Sequence, residues 1–145
     1  MTTIACNRKE MACDSYLTDG SMVLHVRKVF KRKGHVVGIA GDYAACMEFV
    51  GWWLKGNYED EFTGEMSEVD VLILTKDGKL LHYGACSRPF ELEDDFAAIG
   101  SGAAAAMGAL HVGATPAQAV KAASKVDVNT GGKISIRRRG MKDAK

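Results

Sequence analysis

Proline is scarce here, with two in 145 residues, and the 47 % apolar and 26 % charged content is that of an ordinary folded chain. Collagen-like repeats, coiled coil and disorder are thereby excluded. Charge of one sign is also lacking: 19 basic against 18 acidic side chains leave a formal +1, so no global field draws the molecule onto nucleic acid or an anionic membrane. No apolar run approaches the roughly 18 residues that span a bilayer. The N-terminus lacks the basic-then-apolar layout of a secretion signal, so the first residues are expected in the mature protein, in the cytoplasm. Cys6, Cys13, Cys46 and Cys86 form no CxxC pair, and His25, His35, His82 and His111 show no ligand spacing. Neither a zinc site nor a disulfide framework is signalled, and reduced thiols without metal or organic cofactor are expected. One domain over residues 1–145 fits the 15.6 kDa size, because two independent cores would each be too small to offset chain entropy.

Periodicity lays out the elements that are present. Residues 3–7 and 11–14 alternate short β-favouring side chains around a polar turn and predict a hairpin. Residues 22–30 and 35–40, joined by Lys31-Arg32-Lys33-Gly34, predict another, its second strand buried because Val36-Val37-Gly38-Ile39-Ala40 is apolar throughout. Over 42–55 the spacing turns helical, with Cys46, Phe49, Val50 and Trp53 on one stripe, Trp52 away from it and Gly56 at the end. Trp52 is a candidate for a contact between subunits or for packing on the following loop. That loop, 56–70, carries Glu59, Asp60, Glu61, Glu65, Glu68 and Asp70 without a base, and reads as solvated and mobile. Residues 71–75 and 80–84 flank the turn Lys76-Asp77-Gly78, and 96–99 add a strand. Two helices follow, an alanine-rich one over 101–111 and one over 117–125 launched by Thr115 as N-cap with Pro116 at the first position. Residues 133–139 close the chain as an edge strand. Strands, one helix, strands, two helices and a strand suit an α+β fold of packed sheets with helices outside.

Thr2 follows the initiator Met1, and removal of methionine would leave one residue holding both a hydroxyl and a free α-amine. An α-amine has a pKa of about 7.7 to 8.0, so near neutral pH it can accept the hydroxyl proton without a histidine. Met-Thr-Thr by itself is equally an arbitrary beginning. Asp14 with Lys28 is equally a structural ion pair, Gly41 a turn glycine and Ser101 an N-cap. Gly100-Ser101-Gly102 after a strand mimics a dinucleotide fingerprint, but a second helix stands where that motif needs a parallel strand bearing an acid. Arg27, Lys31, Arg32 and Lys33, and separately Arg137-Arg138-Arg139, are basic clusters without interleaved aromatics. They read as solvated surface or as a subunit contact opposite the acidic loop rather than as a nucleic-acid site.

Six blocks change the weight of these features when taken together. Thr2-Thr3-Ile4-Ala5, Cys13-Asp14-Ser15-Tyr16-Leu17-Thr18, Val26-Arg27-Lys28-Val29, Gly38-Ile39-Ala40-Gly41, Ala98-Ile99-Gly100-Ser101-Gly102 and Asp127-Val128-Asn129-Thr130-Gly131-Gly132 run in order along nearly the whole chain. With them the sequence resembles the proteasome β-subunit family of N-terminal nucleophile hydrolases, which includes the bacterial HslV peptidase. The resemblance implies an αββα sandwich of two antiparallel sheets between helical layers. It implies Thr2 as nucleophile, Lys28 as the cation that favours its deprotonation, Asp14 as partner of Lys28, and the Gly41 N–H as oxyanion donor. Ser101, Asp127 and Thr130 would orient the Thr2 amine. The substrate would lie extended near Thr18 and Gly41, with Leu17, Val26, Phe30, Ile39 and Tyr43 walling an apolar pocket for the residue before the cleaved bond. Tyr43 stands where a small residue is usual and is expected to narrow or close that pocket, and Asp42 replaces the usual glycine. A threonine-type endopeptidase acting on peptides or unfolded proteins inside rings of identical subunits, with an unfoldase ATPase as possible partner, is what the resemblance implies; the rival is a catalytically silent assembly protein of the same fold. One helix of the family's first helical layer is missing, which predicts a bared sheet face and helix flank for a neighbour to cover.

Overall fold

The computed structural model describes residues 2–84 and 87–140. Its first hairpin pairs Thr3–Asn7 (β1) with Glu10–Cys13 (β2). The turn is closed by the Asn7 side chain, whose Oδ1 accepts the N–H groups of Lys9 and Glu10, each at 2.9 Å. Residues 16–30, expected to contain one strand from Met22, break differently. Tyr16–Asp19 (β3) and Met22–His25 (β4) form a separate two-stranded hairpin, and Val29–Arg32 (β5) starts only after Lys28 has turned inward. The turn to His35–Gly41 (β6) is correspondingly tighter than expected, with Lys33 and Gly34 both at positive φ.

Tyr43–Trp53 (α1) is capped by Asp42, whose Oδ2 accepts from the Ala45 N–H at 3.0 Å. Val69–Leu74 (β7) and Leu80–Tyr83 (β8) form the hairpin around Lys76-Asp77-Gly78, followed by a short strand the sequence pattern missed, Phe90–Leu92 (β9). Phe96–Gly100 (β10) leads to Ala103–His111 (α2). Pro116–Ser124 (α3) carries a full capping box between Thr115 and Gln118, and Ser135–Arg138 (β11) is the last described strand, at a sheet edge.

The strands form an antiparallel four-stranded sheet in the order β10-β1-β2-β11 and an antiparallel five-stranded sheet in the order β5-β6-β7-β8-β9. Alternation along each strand sends its side chains to two different cores. Val37, Ile39, Val71 and Ile73 face Phe49, Val50 and Trp53 of α1. Val36, Ala40, Leu72 and Leu74 face Ile4, Met11 and Ile99 of the other sheet. On that sheet's far side, Ala5 and Ala12 let Ala106, Ala119 and Val120 of α2 and α3 lie close. The layers thus run one helix, five strands, four strands, two helices. The sheets meet so closely at β6 that a Cβ on Gly38 would stand 2.6 Å from Met11 Sδ.

The acidic loop differs from the expected solvated segment. Phe62 and Met66 are buried against α1, and the Phe62 ring lies 5.1 Å from Phe49 and 5.0 Å from Trp52. The Tyr83 hydroxyl donates to the Asp60 carbonyl at 2.6 Å. Two apolar anchors among the acids therefore cover the flank of α1 that a neighbour was expected to cover, and Trp52 packs on this loop. Gly51 in α1 and Gly108 in α2 have nothing near the position of a Cβ. Gly51→Ala and Gly108→Ala are each expected to raise stability by about 0.5–1 kcal/mol through helix propensity, read from urea unfolding midpoints at unchanged slope.

Candidate functional site

The site begins with two charges placed where water cannot reach. Asp14, just after β2, and Lys28, just before β5, are each 1 % exposed, a burial that such residues accept only when paired. Lys28 Nζ donates to Asp14 Oδ1 at 2.8 Å. The same oxygen accepts the Thr3 N–H at 3.1 Å, while Oδ2 accepts the N–H groups of Gly131 at 3.0 Å and Tyr16 at 3.3 Å. Burial lowers the pKa of Lys28 below the usual lysine value, against the opposing pull of the Asp14 carboxylate. One carboxylate therefore ties the Lys28 ammonium to the backbone of Thr3, one residue from Thr2.

The second cluster closes around the same end of β1. Thr2 is buried, and Gly102 donates its N–H toward the Thr2 carbonyl at 3.5 Å. Ser101 Oγ lies 3.4 Å from that carbonyl but 2.5 Å from Asp127 Oδ2. Its single proton goes to the shorter bond. Thr130 Oγ1 donates to the same Asp127 oxygen at 2.6 Å, so the 2.7 Å contact between the Thr3 and Thr130 hydroxyls has Thr3 as donor. Burial pushes the Asp127 carboxyl upward, but the Ser101 and Thr130 hydroxyls and the Asn129 N–H outweigh it and hold the pKa below the ordinary value. Ser101 does not cap α2, whose N-cap is Gly102 without a side-chain bond.

Thr3 and the pair Gly131-Gly132 were not singled out as site residues. The glycines are needed because a Cβ on either would fall on the Tyr16 ring or on Ser15 Oγ, which would push residues 14–16 away from Thr3. A doubled threonine and a doubled glycine are the only signals in the sequence.

Gly41 ends β6. The Ile39 N–H donates to the Lys28 carbonyl at 3.0 Å. Two residues on, the Gly41 N–H points to the same edge, past the start of β5. Its φ of +120° and the Glu68 carbonyl, lying where a Cβ would be, leave room only for glycine. Of the six expected substrate-binding residues, Phe30, Ile39 and Tyr43 come together on the α1 face of the sheet. The Tyr43 hydroxyl donates to the Arg27 carbonyl at 3.0 Å and joins α1 to the segment before Lys28. Leu17 and Thr18 lie on β3 and Val26 just beyond β4, all half-buried, in the separate hairpin beside Asp14.

Two clefts flank this arrangement. One of about 460 Å³ is lined by Gly41, Glu68, Val69, Asp70, Gly84 and Ser101 among others. The other, about 450 Å³, gathers Arg27, Lys31, Arg32, Lys33 and Arg137 around Phe30 and Leu54. The two basic clusters thus meet in space, although Arg138 bonds Glu10 at 3.3 Å and Arg139 donates to the Arg8 carbonyl at 2.6 Å. Among the described residues no group of His, Cys, Asp or Glu could hold a metal ion, and no helix is long and apolar enough to cross a membrane. Cys6, Cys13 and Cys46 are buried free thiols. Burial raises all three, Cys13 to about 11 and Cys46 to about 12, so they remain unreactive thiols. Cys86 lies outside the described residues.

No protein-family model matches the sequence, and no curated protein does so. Solved structures do match its fold. A protein described as Thiobacillus denitrificans BPH superposes with a TM-score of 0.71 at 19 % identity, over 97 % of this chain and 98 % of that one. A second structure, Thiobacillus denitrificans BPH in complex with Epoxomicin, gives 0.65 at 20 % identity over the same shares of both chains. The α+β fold is shared with that protein over nearly the whole length of both.

Proposed function

We propose that this chain is an N-terminal threonine peptidase of proteasome-like fold, acting on peptides or unfolded proteins. The observation that carries the reading is the placement of two groups at the end of β1 that follows Thr2: a buried ammonium–carboxylate pair, Lys28 with Asp14, bonded to the Thr3 N–H, and a hydrogen-bonded set of Ser101, Asp127 and Thr130, in which Ser101 Oγ lies 3.4 Å from the Thr2 carbonyl. A burial this costly is hard to account for by stability alone, since apolar residues would fill the same space at least as well. A protein of the same fold binds Epoxomicin, a proteasome inhibitor of the peptide epoxyketone class, which supports the same chemistry here.

With Met1 removed, the Thr2 amine takes the proton of its own hydroxyl as Oγ attacks the scissile carbonyl carbon. Lys28 stabilises the negative charge that develops on Oγ, and Asp14 keeps that lysine charged against its burial. The carbonyl oxygen becomes an oxyanion that accepts from the Gly41 N–H. The protonated Thr2 amine then gives its proton to the departing amine as the C–N bond breaks, leaving an ester on Thr2. Water, deprotonated by the same amine, hydrolyses the ester and restores the enzyme. Ser101, Asp127 and Thr130 are positioning residues for the amine. The apolar wall of Phe30, Ile39 and Tyr43 suits a hydrophobic residue before the cleaved bond. Assembly into rings that enclose the nucleophiles, fed by an unfoldase ATPase, belongs to the same reading.

Intact mass before and after incubation with a peptide epoxyketone tests it. Loss of Met1 and a stoichiometric adduct, absent in Thr2→Ala, are the expected result. Retention of Met1 in the purified assembly, with no adduct, would leave a catalytically silent assembly protein of the same fold.

A further inference from the structure

We infer that the cleft beside Gly41 and Ser101 receives the substrate residue that follows the cleaved bond, and that Glu68 and Asp70 make it select a cationic side chain there. The inference rests on the peptidase reading and adds a specificity on the leaving-group side.

The two edges of β6 separate the two sides of a bound substrate. The edge toward β5 carries Lys28 and the Gly41 N–H, with Phe30 and Tyr43 on the neighbouring wall. This is the side proposed for the acyl half of the substrate. The opposite edge pairs with β7, Ala40 opposite Asp70 and Gly41 opposite Val69. There the 460 Å³ cleft opens, with Ser101, whose hydroxyl lies 3.4 Å from the Thr2 carbonyl, on its far wall. A carbonyl carbon held against Thr2 with its oxygen on the Gly41 N–H has its acyl side toward β5. Its leaving amine and the residue attached to it then enter this cleft, whose volume accommodates a long side chain.

The chemistry of the cleft is one-sided. Among its described lining residues Glu68 and Asp70 are carboxylates and none is lysine or arginine. The Asp42 N–H donates to the Glu68 carbonyl at 2.8 Å and fixes the start of β7 beside Gly41. Asp70 Oδ1 lies 2.5 Å from His82 Nε2 and keeps its other oxygen for a further partner, with 41 % of its side chain exposed. Two carboxylates on one wall attract an ammonium or guanidinium and repel a third carboxylate.

The probes are internally quenched peptides identical except for Lys, Ala or Glu after the cleaved bond. Each kcat/KM is divided by the same protein's kcat/KM on a peptidyl aminocoumarin, which offers the cleft only the dye. Lys is expected to exceed Glu by about tenfold at low salt, with Ala between, and the ratio to shrink as salt screens the wall. Glu68→Gln combined with Asp70→Asn should bring the ratio below about twofold, and Glu68→Lys should invert it. Equal rates for the three peptides in the native protein, or a lysine preference that survives the double substitution, would overturn this inference and leave the peptidase standing. Failure to hydrolyse the aminocoumarin reporter would overturn both.

Discussion

Lys28→Met is expected to reduce peptide hydrolysis by about a thousandfold, equivalent to ~4 kcal/mol of transition-state stabilisation, while the protein still folds. Asp14→Ala should be worse for folding than for any other property. The two residues form one buried pair, but their surroundings differ. When Lys28 is replaced by an apolar side chain of similar length, the Asp14 carboxylate keeps the N–H groups of Thr3, Gly131 and Tyr16. Its remaining hydrogen bonds limit the loss to about 1–3 kcal/mol. When Asp14 is replaced by alanine, those three N–H groups lose their acceptor and the buried ammonium loses its carboxylate, a change of about 3–5 kcal/mol. Urea unfolding of both variants beside the hydrolysis rate of Lys28→Met makes the comparison. A purely structural pair would give the reverse: Lys28→Met active at its reduced stability.

The second large effect is expected at two glycines, Gly41→Ala and Gly100→Ala. Each should destabilise by more than about 3 kcal/mol, and any folded fraction should be inactive. Their φ angles of +120° and +98° are costly for any residue with a Cβ, and the added carbon would overlap backbone oxygens, of Glu68 at Gly41 and of Thr2 at Gly100. Backbone cannot rotate aside as a side chain does. The relief would come from moving β7 away from β6, or Thr2 away from Ser101 and Asp127, and either shift displaces a part of the proposed reaction centre. Thermal melting alongside an epoxyketone adduct measured by mass separates the two losses. Native-like stability in either variant would show that these contacts are looser than the geometry requires.

Most of the candidate site was legible only through the resemblance carried by short blocks, since each residue alone has a structural reading. Thr2, Asp14, Lys28, Ser101, Asp127 and Thr130 stand out once short blocks are taken in order, and the structure brings all six to one end of β1. The supporting parts were harder to see. Gly131 and Gly132 matter for the side chains they leave out, and Thr3 for a proton it gives to a residue 127 positions away. The Ser101 hydroxyl looks like a helix cap until its distance to Asp127 is known. The loop after α1 hides its packing for a related reason: its acids dominate the pattern, whereas Phe62 and Met66, which are buried against α1, are isolated among them.

By itself the sequence determined the three helices and most of the strands, because alternation and helical spacing are local, while the separate β3–β4 hairpin and the short β9 carry too little pattern to be read. It determined the interior as well, since Val36, Val37, Ile39, Phe49 and Trp53 have no other place to go. Tertiary structure alone decided that Lys28 leaves its basic neighbours for the interior while Arg27 and Lys31 join Arg137 around a cleft. It alone decided that Glu68 and Asp70 stand next to Gly41 and Ser101. Those outcomes depend on which strand edges meet across the sheets, a long-range pairing whose free energy is shared by many residues and written in no single stretch of the chain.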